Sequence, residues 1–221
     1  MKYKINYKPA FAAIFITLEP GEEITAEPGA MVSMDAQISL KTEFSGGFFA
    51  ALMRKFFGGE SLFINVYSNK TNQPLNLVLT QSVIGDIEGI QLNGKEICFQ
   101  PGAYIANTPG VNLGVKWAGL KSWFVGEGLF KLKLSGNGVV FFGAYGGITQ
   151  KRIQGEFIVD NSHLVAYEPG INMNIGLASR GIFSSFFSGE GFINRLKGNG
   201  IIYLQSRSID GLVGFLRPKV R

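Results

Sequence analysis

Little in this sequence is equipped for chemistry. Its 221 residues include one histidine and one cysteine. His163 alone cannot supply the several imidazoles that a cupin-type metal centre uses, and it is read as structural, on a strand that follows the Asn161-Ser162 turn. Cys98 alone cannot form an intramolecular disulfide, so a reducing compartment is expected. It sits in Glu96-Ile97-Cys98-Phe99-Gln100 with no local cation to stabilise a thiolate, and is expected to be a small buried hydrophobe. No Gly-x-Ser-x-Gly elbow, phosphate-binding loop or dinucleotide fingerprint occurs at a strand-to-helix junction. The sequence therefore points away from an enzyme, and it implies no cofactor.

Charge is also scarce, at 17% of residues, whereas apolar residues make up 46%. Disordered chains show the reverse balance, so a folded core is expected. Long apolar runs are absent. The uncharged stretch from residue 97 to 115 is broken by Pro101, Asn107, Pro109 and Asn112, which excludes a membrane-spanning helix there. Lys2, Lys4 and Lys8 precede the apolar run Ala10 to Leu18, but Glu19-Pro20-Gly21 follows where a signal peptide needs small residues. That run is read as the first strand.

What is abundant is glycine, 30 residues, together with aromatic and β-branched side chains. This mixture suits short strands joined by tight turns. The net charge of +5 is spread along the chain, so a polyanion partner is permitted without being required. The densest basic cluster, Arg217, Lys219 and Arg221, reads as a solubilising end.

Three segments resemble one another: Phe57-Gly58-Gly59-Glu60-Ser61-Leu62-Phe63, Phe124-Val125-Gly126-Glu127-Gly128-Leu129-Phe130 and Phe187-Ser188-Gly189-Glu190-Gly191-Phe192-Ile193. A second landmark keeps the same order. Glu27-Pro28-Gly29-Ala30-Met31-Val32 matches Gln100-Pro101-Gly102-Ala103-Tyr104-Ile105, with Asp160-Asn161-Ser162-His163-Leu164-Val165 in the third place. A third, Gly136-Asn137-Gly138 and Gly198-Asn199-Gly200 before apolar runs, reads as a hairpin turn in two copies. Strands are expected at Met31 to Leu40, Leu62 to Tyr67, Leu75 to Leu79, Leu129 to Leu134, Val139 to Phe142, Phe157 to Val159 and Ile201 to Leu204. Units this small must pack together to bury their apolar faces. The expected architecture is one all-β domain over residues 1–221, made of three jelly-roll-like repeats (about 1–88, 89–154 and 155–221). They are expected to form a closed molecule with pseudo-threefold symmetry, with short apolar helices or loops between strands.

The run from Leu18-Glu19-Pro20-Gly21 through Pro28-Gly29-Ala30-Met31-Val32-Ser33-Met34 resembles the signature of the mitochondrial-biogenesis, altered-inheritance-of-mitochondria family. The likeness continues through Phe57 to Phe63 and His163-Leu164-Val165-Ala166-Tyr167, and ends at Gly198 to Ser206. It implies a fold like the tryptophan RNA-binding attenuator protein, and no established activity or catalytic residues. Mitochondrial relatives are associated with inner-membrane organisation. An Arg- and Ser-rich transit peptide is lacking here, so the chain resembles the prokaryotic members of unknown function.

Two sets of residues stand out as candidate sites. Glu60, Glu127 and Glu190 recur once per copy, where converging carboxylates could hold a cation or small molecule. The plainer reading is that each accepts hydrogen bonds from turn amides. The second set lies in the apolar segments before those glutamates. In the first, Phe48, Leu52 and Phe56 share a helical face beside Phe49. The second offers Trp117, Leu120, Trp123 and Phe124, and the third Ile182, Phe183, Phe186 and Phe187. Beside lysine and arginine they suit a membrane interface or a subunit contact, unless they fold inward and plug the core. The function expected is a non-enzymatic interaction or scaffold protein, cytoplasmic and peripheral to a membrane, with a protein partner or self-association. RNA or polyanion binding, and cation or small-molecule binding at the glutamates, are the alternatives.

Overall fold

The structure is a computed structural model that describes residues 1–44, 63–117, 130–177 and 192–220. In chain order its first strands are β1 (Lys2–Asn6), β2 (Ala13–Leu18), β3 (Glu23–Ala26), β4 (Met31–Met34), β5 (Ser39–Phe44), β6 (Phe63–Ser68), β7 (Leu75–Leu79) and β8 (Ile87–Gln91). There follow β9 (Glu96–Phe99), β10 (Tyr104–Asn107), β11 (Val111–Trp117), β12 (Phe130–Gly136), β13 (Val139–Gly143), β14 (Ile148–Asp160), β15 (Leu164–Tyr167), β16 (Ile171–Leu177) and β17 (Phe192–Gln205). A 3-10 turn at Asn161–His163 and one helix, α1 (Ile209–Leu216), are the described helical elements. The protein is almost all β, as its composition implies.

Alternation of apolar side chains builds the strands. In β2 the residues Ile14, Ile16 and Leu18 point inward, and in β7 so do Leu75, Leu77 and Leu79. The antiparallel register sets Ile14 opposite Leu79, Ile16 opposite Leu77 and Leu18 opposite Leu75. Each such buried aliphatic side chain contributes about 1.5–3 kcal/mol, so these cross-strand pairs fix the register against a one-residue slip.

Three sheets result. One has the order β1-β2-β7-β4, a second β5-β6-β3-β10-β13-β8, and a third β11-β12-β9-β15-β17-β14, with β16 also on β17. Their inward faces form three apolar clusters. In the middle one Phe142 lies 5.4 Å from Phe99 and 5.1 Å, edge to face, from Tyr203.

The expected bends occur. Ala30 N–H donates to the Glu27 carbonyl and Ala103 N–H to that of Gln100, across Pro28-Gly29 and Pro101-Gly102. At the third place, Asp160 accepts from Ser162 N–H (2.8 Å) and Ser162 O–H (2.6 Å) and starts the 3-10 turn. His163 is therefore in that turn and not on a strand.

Several boundaries differ from the sequence expectation. The strand expected from Met31 to Leu40 is two, because Asp35 turns the chain. Its carboxylate accepts from Asn76 N–H (2.7 Å), and its own N–H donates to Asn76 O (2.9 Å). The two Asn-Gly landmarks are not hairpins. β12 pairs with β9 and β11, whereas β13 pairs with β8 and β10, so the chain changes sheet at Asn137. Gly198-Asn199-Gly200 runs straight through β17, opposite Gly155, Gln154 and Ile153 of β14. Glycine is needed at 198 for another reason. Its φ is +139°, and a Cβ there would stand 2.3 Å from the Gly170 carbonyl oxygen.

Strand pairing among the described residues does not close the expected molecule. Among the described residues β4 pairs only with β7, and Glu156–Asp160 of β14 pairs only with β17.

Candidate interaction surface

The helix α1 is the most exposed apolar element described. Ser208 caps its N-terminus, with the hydroxyl oxygen accepting from Gly211 N–H at 3.0 Å. Its end is marked by the Arg217 N–H bond to Val213 O (2.8 Å), and Pro218 follows. None of its residues is buried. Ile209, Leu212, Val213, Phe215 and Leu216 are all exposed, Phe215 to 61%. Asp210 is its one charge, and Arg217 and Lys219 follow directly. Lys219 folds back so that its ammonium lies 3.6 Å from the Phe215 ring centroid. A helix this apolar gains nothing from its own fold by standing in water, and gains with any apolar surface it enters.

Ile209 and Asp210 also rim a cleft of about 350 Å³, with Gln81, Gln100, Tyr145 and Gln205 in its wall. The polar groups here tie strand ends together. Gln81 Nε2 donates to Ala144 O (3.0 Å) and Asp86 O (3.3 Å). Gln205 Nε2 donates to Ser162 O (2.8 Å), while its Oε1 accepts from Tyr145 N–H (3.0 Å). His163 Nδ1 lies 2.7 Å from the Gln205 carbonyl oxygen. That contact ties the Asn161–His163 turn to the end of β17.

Cys98 is fully buried in β9, between Lys133 of β12 and Tyr167 of β15 in the ladder. One titratable group is set apart by its surroundings. Burial pushes the Glu27 carboxyl up to about 7. Its backbone N–H donates to Ile105 O (2.8 Å) where β3 meets β10. The nearby phenol of Tyr104 donates to Asn107 Oδ1 at 2.6 Å and is raised by burial and by the Glu27 charge. In sequence Glu27 reads as a turn residue, since nothing local announces a carboxyl that strands from elsewhere will cover.

Glu60, Glu127 and Glu190 lie outside the described residues. So do Phe48, Phe49, Leu52, Phe56, Leu120, Trp123, Phe124, Ile182, Phe183, Phe186 and Phe187. The backbone of Trp117 ends β11 opposite Phe130. Each of the three segments is spanned by an antiparallel pair of strands, ending at Phe44 and Phe63, Trp117 and Phe130, and Leu177 and Phe192. Among the described residues no group of three His, Cys, Asp or Glu side chains converges as metal ligands. No described helix is long and apolar enough to cross a membrane.

Residues 3–207 match the family model described as mitochondrial biogenesis AIM24. The chain belongs to that family. The chain is similar to an uncharacterised protein of Streptococcus pyogenes serotype M6, 27% identical over 98% of this chain and 90% of the relative. The fold is similar to an X-ray crystal structure of a Streptococcus pyogenes protein, with a TM-score of 0.80, 26% identity and 99% of each chain covered. The AIM24 match stops at residue 207, so α1 begins just past it.

Proposed function

We propose that this AIM24-family chain is a non-enzymatic interaction protein that docks peripherally on an anionic membrane surface from the cytoplasm, on a frame of three copies of one β unit. The observation that carries the membrane reading is α1, with five exposed apolar side chains followed at once by basic residues. Apolar burial and attraction to anionic headgroups then act at one place.

Strand pairing supports the three-copy frame. The pairs β2–β7 and β8–β13 have a counterpart in the Ile148–Ile153 half of β14 with the Gly200–Gln205 half of β17. On the other side of β7, β13 and β17 lie β4, β10 and β15. Likewise β3–β6 and β9–β12 correspond to Glu156–Asp160 with Ile193–Lys197, and β5–β6, β11–β12 and β16–β17 are the three hairpins. In this scheme the strand pairs that flank the segments with Glu60, Glu127 and Glu190 are equivalent in the three copies.

Flotation with anionic and neutral liposomes, at low and high salt, tests the reading. The native chain floats with anionic vesicles, and the Leu212→Ser, Phe215→Ser double variant stays at the bottom. Flotation lost instead in the Phe49→Ser, Trp123→Ser, Phe186→Ser variant moves the contact to the repeated segments. A native chain that never floats overturns membrane docking.

A further inference from the structure

Two sheet edges of this molecule, β4 and Glu156–Asp160 of β14, lack a second strand partner among the described residues, and they match one another. We propose that β4 of one copy of this chain pairs with Glu156–Asp160 of β14 in a second copy, joining chains head to tail. This pairing rests on the three-copy reading above, because its seam repeats two that each chain already contains.

In the first internal seam β10 pairs with β3, Ala106 opposite Ala26 and Asn107 opposite Thr25, and Glu27 N–H donates to Ile105 O. In the second β15 pairs with β9, Ala166 opposite Phe99 and Tyr167 opposite Cys98, and Gln100 N–H donates to Val165 O at 2.9 Å. The neighbouring strands transfer this register to the free edges. Ser33, Ala106 and Ala166 lie opposite Val78, Phe141 and Tyr203 on their shared type of partner. Ala26, Phe99 and Val159 lie opposite Asn65, Leu132 and Asn194 on theirs. A third seam therefore sets Ser33 opposite Val159 and Met34 opposite Ile158, and brings Asp160 to Val32 as Glu27 comes to Ile105.

Burial separates the made seams from the unmade one. Ile105 and Val165 are 0% and 2% exposed, whereas Val32, in the same place and equally apolar, is 56% exposed. Ile158 on the complementary edge is 49% exposed. β4 reads Met-Val-Ser-Met, with neither charge nor proline to discourage pairing.

The opening recurs at a second level. Phe11 bridges to Gly85 and Gly85 to Gly146, with Ala12 N–H on Gly85 O (3.0 Å) and Asp86 N–H on Gly146 O (2.8 Å). Among the described residues no bridge returns from Gly146 to Phe11. Gly147 N–H goes to Ser206 Oγ at 2.9 Å instead, and Phe11 stays exposed.

Both edges belong to one chain, so the high effective concentration of a tethered partner favours self-pairing wherever the geometry allows it. Among the described residues no strand pairing joins the two edges, and Val32 and Ile158 remain exposed. An added strand from a second copy satisfies each edge. A head-to-tail contact of this kind closes into a ring or extends as a filament according to its rotation, and two copies are the smallest set that leaves no edge free.

Sedimentation of the full chain, with thiol cross-linking, decides the matter. The native protein is expected at a multiple of 24.1 kDa, and Val32→Lys at the single-chain mass. Directly opposed residues in an antiparallel pair are close enough for a disulfide. A Met34→Cys chain mixed with an Ile158→Cys chain is therefore expected to give a cross-linked dimer under oxidation, with Cys98 spared by its burial. No cross-link in the mixture, with an internal disulfide forming in a monomeric chain that carries both substitutions, overturns the proposal in favour of self-closure. No cross-link in either, with a native mass of one chain, overturns it in favour of a permanently open edge. Neither outcome bears on flotation through α1, so the two readings fail separately.

Discussion

The carbonyl oxygen of Ala144 stands 1.9 Å from where a Cβ on Gly85 would be. Gly146 N and O lie within 2.8 Å of the same point. Backbone from the β13–β14 connection thus presses directly on the segment that precedes β8, and residue 85 can carry no side chain. Gly85→Ala is expected to lower stability by about 1–3 kcal/mol, because rigid backbone and not a flexible side chain must move. Urea unfolding checks it. A midpoint equal to that of the native chain would show that this contact gives way easily.

Glu27 predicts a pH dependence. Its carboxyl pKa is about 7 in the fold, against an ordinary 4.5. The folded state therefore holds the proton more tightly than the unfolded chain does. This contribution to stability is complete below the unfolded value and is lost as pH rises through about 7. Melting temperature should fall between about pH 5 and pH 8 in the native protein and be flatter in Glu27→Gln. The variant gains on the order of 1–2 kcal/mol at the upper end, after allowance for the partial exposure of the carboxyl. A fall of the same size in the variant would assign the titration to another group.

Because α1 buries none of its residues, its formation and the stability of the β frame should be separable. Ser208→Ala removes the cap from Gly211 N–H and should cost the helix about 1 kcal/mol. Amide hydrogen exchange is then expected to quicken at Leu212 and Val213, while the global unfolding midpoint moves by no more than about 0.5 kcal/mol. A global loss equal to the local one would show that the helix unfolds together with the sheets.

Much of the frame is legible in the order of the residues. Leu75–Leu79 is a strand over its expected span, and the turns at Pro28-Gly29 and Pro101-Gly102 fall where their residues put them. The family is legible too, from signature residues spread along the chain. The Asn-Gly landmarks mislead, because apolar runs on each side of Asn137 find partners in different sheets, and those around Asn199 find one continuous partner in β14. The basic end is visible as Arg217, Lys219 and Arg221, but the exposed helix before it is not. Ile209-Asp210-Gly211-Leu212-Val213-Gly214 carries two glycines, and nothing in it says whether its apolar residues are covered.

The sequence by itself determined the all-β class, the turns at Pro28-Gly29 and Pro101-Gly102 and the recurrence of one short pattern, since each depends on contacts a few residues apart. Only the tertiary structure decided which strands became neighbours, which carboxyl was covered, and which apolar edge and helix were left in water. Val32 and Ile105 are equally apolar and equally placed in their segments, yet one is bare and the other buried. That difference depends on whether a strand far away in the chain arrives beside them, and local residue patterns carry no record of it.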